Sequence, residues 1–234
     1  MTDREQGRMP YSVRVEFRTP SSFLVAYSVN LSRGGLFLET DAEIPTGALI
    51  TVDFAIPTAG PVSLNGTVAW RRGVDLPDGP PGLGIEFTDV APQLGAVIDQ
   101  LVGAFNGVHI LVLSGDRQDR TSLARSIKSI ISTAEVMQAA DSNVAITLMS
   151  GEIDLAVTDI DFDVEGGLAA LRSAKEQSPP VPTVALTSNP NLHEYARAAG
   201  ADEIISNPPQ FSELQIVLVR ALSKPALVRG SMTV

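Results

Sequence analysis

Up to about residue 90, apolar positions recur every second residue. In SVRVEF, Val13, Val15 and Phe17 share one face while Arg14, Glu16 and Arg18 share the other. That alternation predicts a half-buried strand. FLVAYSVN reads the same way through Phe23, Val25, Tyr27 and Val29, as does LITVDFAI through Ile50, Val52, Phe54 and Ile56. VSLNGTVAW adds Leu64, Val68 and Trp70, and GLGIEF follows a Pro/Gly-rich loop, DLPDGPPG. Short strands separated by turn residues predict a small all-β antiparallel barrel or sandwich. PQLGAVIDQLVGAF then reads as a helix with Leu94, Val97, Ile98 and Leu101 on one face.

From His109 the period changes. HILVLSG is a continuous apolar run, as expected of a strand covered on both faces. Helical and strand segments then alternate through RTSLARSIKSII, AEVMQAA, SNVAITLMSG, DLAVTDI, GGLAALRSAKEQ, PTVALTS, NLHEYARAAG, EIISN and FSELQIVLVRAL. Five strands alternating with five helices predict an α/β doubly wound parallel sheet. The expected organisation is multidomain: residues 1–105, residues 108–223 after a short link at Asn106-Gly107, and a tail, 224–234, without a period. So short a link predicts that the domains touch.

Composition narrows the function classes. The 234-residue chain carries a net charge of −10, spread over both halves, which disfavours a nucleic-acid binder that must displace counterions from phosphate. Absence of cysteine excludes disulfides and thiolate sites. The start, MTDREQGRMP, lacks the apolar core of a signal peptide, and no apolar run approaches the roughly 20 residues needed to cross a bilayer. The expectation is a cytoplasmic chain without membrane insertion. His109 and His193 stand alone without metal-ligand spacing, and no G-x-S-x-G, P-loop or H-E-x-x-H pattern occurs; no enzyme is expected.

Candidate chemistry in the first half begins with Arg4 and Arg8, four apart ahead of the first strand. VNLSRGGLFLET then presents Asn30, Ser32, Gly34 and Gly35 as N-x-S-x-x-G. By itself the second motif reads as a turn. The pair, with GTVAW and GLGIEF downstream, resembles the PilZ family over residues 4–103, and LVAYSVNLSRGGLF resembles a subgroup common in myxobacteria. The resemblance implies a bacterial protein that binds cyclic di-GMP. Arginine's planar fork can grip a phosphate, pair with the guanine edge or stack on its face, the role implied for Arg4 and Arg8. Asn30 and Ser32 would offer polar groups, and Gly34 and Gly35 a close backbone approach. Asp3 and Glu5 flank Arg4 and compete for it. Trp70 continues the apolar face of its strand and is assigned to the core, with Arg71 and Arg72 at a solvated strand end.

The second half resembles a response-regulator receiver domain. By position, Asp159 is the candidate phosphoacceptor and Thr187 the hydroxyl ending the fourth strand. The acidic pair that would hold Mg²⁺ is replaced by Ser114 and Gly115, with Asp116 one step later. Asn207-Pro208 stands where a lysine and proline are usual, and Ile204 replaces an aromatic. Phosphoryl transfer to a carboxylate needs cations to stabilise added negative charge, and Mg²⁺ needs oxygen ligands. Mg²⁺ is therefore not expected, unless a register shift brings Asp116 beside Asp159, with Asp161 or Asp163 assisting. The implied reading is a pseudo-receiver binding a protein partner or a second copy through its fourth and fifth helices. Together the domains suggest a non-enzymatic signalling adaptor acting on motility, polarity or surface behaviour. The alternatives are a nucleotide-independent interaction protein and a phosphorylation-dependent regulator using Asp159.

Overall fold

The computed structural model describes residues 11–73, 80–88 and 90–232. Its N-terminal elements are β1 (Tyr11–Glu16), α1 (Pro20–Val29), β2 (Gly35–Glu39), β3 (Leu49–Ala55), β4 (Val62–Arg72), β5 (Gly82–Phe87) and α2 (Val90–Gly103). The alternation of Val13, Val15, Ile50, Val52, Phe54, Leu64, Leu83 and Ile85 turns one face of this sheet into a buried core. Leu94 and Leu101 of α2 close that core, and Val97 and Ile98 pack at its margin.

FLVAYSVN is a helix, not the predicted strand. Thr19 and Ser22 form a reciprocal capping box, Ser22 N to Thr19 Oγ1 at 3.0 Å and Thr19 N to Ser22 Oγ at 3.2 Å, with Pro20 in the first turn. Phe23 and Ala26 join the N-terminal core, whereas Val25 packs into the core of the second domain. A helix covered on two sides has no polar stripe, so its apolar residues fit a period of two as readily as 3.6.

The second domain comprises β6 (Val108–Leu113), α3 (Arg117–Ile130), β7 (Ala134–Ala139), α4 (Ser142–Met149), β8 (Leu155–Asp159), α5 (Val164–Glu176), β9 (Thr183–Leu186), α6 (His193–Ala198), β10 (Glu203–Ile205) and α7 (Phe211–Ser223). Its parallel sheet has the order β10-β9-β8-β6-β7. Ile110 and Val112 of β6 face the helices α3 and α7, while Leu111 and Leu113 face α4 and α5, which explains the unbroken apolar run. Order reverses between β6 and β8, so a crevice opens at their carboxyl ends.

The tail is not without structure. Residues Leu227–Met232 form β11, which pairs antiparallel with β1 from Glu16↔Leu227 to Tyr11↔Met232. The N-terminal sheet therefore runs β11-β1-β3-β4-β5-β2. It departs from the expected all-antiparallel arrangement in one place, since β1 and β3 are parallel.

The domains touch along a polar seam. The Arg18 guanidinium donates to the carbonyls of Ile153 (2.8 Å), Gly151 (3.1 Å), Met149 (3.4 Å) and Pro179. Thr19 donates to the buried Asp154 carboxyl, which also accepts from His109 N at 2.7 Å. Lys224 Nζ lies 2.6 Å from Glu39 and 3.6 Å from Asp202. The α7 surface packs on α1, so part of the expected dimer face is occupied by the chain's own first domain.

Candidate functional sites

In the N-terminal domain, the capped end of α1 runs directly into the N-x-S-x-x-G turn. Asn30 closes the helix, donating its N–H to Ala26 O at 2.9 Å and accepting from Arg33 N at 3.0 Å. Residues Leu31–Arg33 form one 3₁₀ turn, and Gly34 at φ +84° ends it in the left-handed region. Gly34 O then accepts Phe87 N at 2.7 Å, and Gly35 pairs with Glu86. Asn30, Gly34 and Gly35 are thereby brought to one open cavity of about 460 Å³. Ser32 lies in the backbone of the connecting turn. Arg4 and Arg8 lie outside the described residues. The motif follows a helix rather than the predicted second strand.

The same cavity contains residues that sequence reasoning placed elsewhere. Trp70 is 44% exposed and not in the core. A bulge between Val68 and Trp70 sets two β4 residues against one on β5 and turns the indole outward. Trp70 lies parallel to Phe37, with ring centres 5.1 Å apart, and Arg72 sits 5.0 Å from the Phe37 ring centre and 5.6 Å from that of Trp70. Arg72 is therefore bound over two rings and is not a free strand end.

In the second domain, Asp159 ends β8 in the crevice. Its carboxylate accepts from Ser114 Oγ (2.9 Å), Asn207 Nδ2 (2.9 Å) and Asp161 N (3.0 Å). Thr187 does not bond to Asp159; its hydroxyl donates to Asp161. Asp161 also accepts from Ser188 N (2.7 Å), Ser188 Oγ (2.8 Å) and Asn207 Nδ2 (3.4 Å). Desolvation would raise its pKa, but these hydrogen bonds outweigh it and hold the carboxyl below the usual carboxylate range.

Asp116 is committed to a different task. Its carboxylate caps α3, accepting from Gln118 N at 2.7 Å and Asp119 N at 2.9 Å, and these bonds hold its pKa down. A register shift that pairs Asp116 with Asp159 would break this cap. Asp163 likewise caps α5 through Gly166 N at 3.0 Å. At Gly115, a Cβ would stand 2.0 Å from the Phe162 ring, so no acidic side chain fits there without moving that ring. Among the described residues, no group of three or more His, Cys, Asp or Glu side chains is arranged to hold a metal. Around Asp159 a hydroxyl, an amide and a backbone N–H all donate to its carboxylate.

The chain thus combines a β-rich domain with a doubly wound α/β domain. The PilZ domain model matches residues 2–104, which span the N-terminal domain. The C-terminal half has a receiver-like fold. Solved structures similar to it include the receiver domain of a sensor histidine kinase from Pseudomonas aeruginosa (25% identity, 50% of this chain and 99% of that one, TM-score 0.45). The chemotaxis protein CheY4 of Vibrio cholerae is similar at 20% identity over 49% of this chain and 98% of its own, with TM-score 0.44. A pilus assembly-related protein from Burkholderia pseudomallei matches at 22% over 51% and 92%, with TM-score 0.45. No curated protein matches the chain. Among the described residues, no helix is long and apolar enough to cross a membrane.

Proposed function

We propose that this chain is a non-enzymatic bacterial signalling adaptor. Its PilZ domain binds cyclic di-GMP, and its receiver-like domain is a pseudo-receiver offering a fixed surface to a protein partner. The observation that carries the ligand reading is the convergence of Asn30, Gly34 and Gly35 on one open cavity of the PilZ domain. Arg4 and Arg8 supply the cations for the dianionic ligand, and Asn30 and Ser32 polar contacts to its guanines or phosphates. Each charge-assisted hydrogen bond is worth about 1.5–3 kcal/mol, so the arginines separate useful binding from none.

The pseudo-receiver reading is supported by Asp161, whose carboxylate already holds Thr187, Ser188 and Asn207. Tyr195, Phe211 and Ile216 are exposed apolar side chains on α6 and α7 and form the partner or dimer face. The output is regulation of motility, polarity or surface behaviour in the cytoplasm. Isothermal titration of cyclic di-GMP into wild type and Arg8→Ala is the test. Binding lost in the variant supports the reading, and no heat with folded wild type refutes it.

A further inference from the structure

The carboxyl edge of the receiver-like sheet carries apolar side chains on α4, on α5 and in the loop before α5, apart from those on α6 and α7. Phe162 is 67% exposed, Val144 45% and Val164 37%. The Phe162 ring lies against Gly115, where a Cβ would stand 2.0 Å from Phe162 Cδ1. Both chain neighbours of Phe162 are fixed: Asp161 accepts from Ser188 and Asn207, and Asp163 caps α5. Val164 opens α5, and Val144 lies in the first turn of α4. Those two turns touch, since a Cβ at Gly166 would stand 2.7 Å from Ser142 Oγ. The same loops and first turns carry exposed Asp116, Asp119, Asp141, Asp163 and Glu165. Arg117 is their exposed cation, while Arg120 is turned to the carbonyls of Ser114 (2.6 Å) and Gly115 (3.3 Å).

We infer that this edge is a second docking surface, and that its partner is a basic amphipathic helix of another protein. Phe162, Val144 and Val164 meet the apolar stripe of that helix, and the carboxylates meet its lysines or arginines. A ring seated on a glycine between two bonded carboxylates loses little freedom when it is covered, so it serves as a ready anchor. The surface offers side chains but no open strand edge, so the partner docks by a helical face rather than as an added strand. Charge selects its sign. Asp116, Asp141 and Asp163 cap helices and are partly offset by the positive helix ends, which leaves Asp119 and Glu165 as surplus negative charge. Polyanionic nucleic acid and anionic lipid are repelled by such a rim, whereas a cationic helix is steered to it. Glycine at 115 is what seats the ring, because an acidic side chain there would displace Phe162. The inference rests on the pseudo-receiver reading and gives the chemistry of its partner.

The probe is a labelled helical peptide of leucine and lysine at amphipathic spacing, titrated into the full chain by fluorescence anisotropy. A lysine–glutamine peptide of equal length and charge is the control. Expected is salt-sensitive binding of the leucine–lysine peptide that is weakened about tenfold or more in Phe162→Ala, retained in Phe162→Trp and unchanged in Tyr195→Ala. Val144→Gln, on a separate helix, should weaken it in the same direction. Asp119→Asn with Glu165→Gln should weaken it about threefold at low salt and flatten its salt dependence. Binding that is absent from wild type, equal for the two peptides or unchanged in Phe162→Ala overturns the surface. Binding lost in Tyr195→Ala instead assigns the peptide to α6 and likewise overturns it. A phospho-adduct on Asp159 with Phe162-dependent binding intact would overturn the pseudo-receiver reading and leave the docking surface standing.

Discussion

The two domains treat their candidate sites in opposite ways. In the PilZ domain, Asn30, Gly34, Trp70 and Glu86 surround open space, and Arg72 is held by rings rather than by a carboxylate. In the receiver-like domain four carboxylates in and around the crevice are already engaged. Asp159 holds Ser114 and Asn207, Asp161 holds Thr187 and Ser188, and Asp116 and Asp163 cap helices. Ancestral position does not make a site; what matters is whether the donors and acceptors are spent internally. Asn30, Gly34 and Gly35 line open space in one domain, whereas Asp159 and Asp161 in the other are bonded within the chain.

The largest test of that contrast is all-or-none. Incubation with a small phosphodonor and Mg²⁺, followed by intact-mass measurement, should give no phospho-adduct in wild type or Asp161→Ala. Removing Asp161 restores neither a carboxylate at Ser114 nor room at Gly115. An adduct lost in Asp159→Asn would place the chain among phosphorylated receivers.

Next in size is the turn that opens the PilZ site. Gly34→Val forces a β-branched residue to φ +84°, costing about 1–2 kcal/mol, and should shift the turn enough to weaken cyclic di-GMP about tenfold or more by calorimetry. Asp161→Ala removes the acceptor shared by Thr187 and Ser188, leaving the Thr187 hydroxyl its bonds to Asn189, and should lower stability by about 1 kcal/mol in denaturant unfolding, with cyclic di-GMP affinity unchanged.

The smallest effect compares two carboxylates across pH. Asp161 is held below its usual pKa, so its contribution is present above the unfolded value of 3.8 and is lost as pH falls through the lower folded value. Asp154 is the reverse. Burial, only partly offset by Thr19, His109 and Arg18, raises its pKa. Its native state retains the proton longer, so stability declines as pH rises from 3.8 through the raised folded value. Asp154→Asn should remove that decline and Asp161→Asn the acid-side loss, each read as the pH slope of the unfolding free energy.

Much of the fold was legible from periodicity, because each strand sees a fixed environment. Val13 and Val15 face one core, and Ile110 to Leu113 face two. Misreadings came where an environment is not local. The α1 helix is apolar all round because the second domain covers Val25, and the T-P-S-S capping signal at Thr19 was the cue that outweighed its alternation. β11 carries no apolar alternation, so nothing local in LVRGSM announces its pairing with β1, more than 200 positions away. Trp70 followed the strand pattern up to a bulge that no single residue announces. The paired glycines Gly82 and Gly84 did carry a usable signal, since glycine inside a strand marks a close approach. The commitment of Asp161 depends on the meeting of three strand ends and was not readable from spacing.

The most direct measurement is hydrogen exchange of the full chain, with saturating cyclic di-GMP in one arm and a phosphodonor with Mg²⁺ in the other. Expected is protection in the PilZ domain around residues 30–37 and 69–72 with the nucleotide, and no change around Asp159, Thr187 or Asn207 with the phosphodonor. Protection confined to the receiver-like crevice, with the PilZ cavity unchanged by cyclic di-GMP, would contradict the division of roles between the two domains.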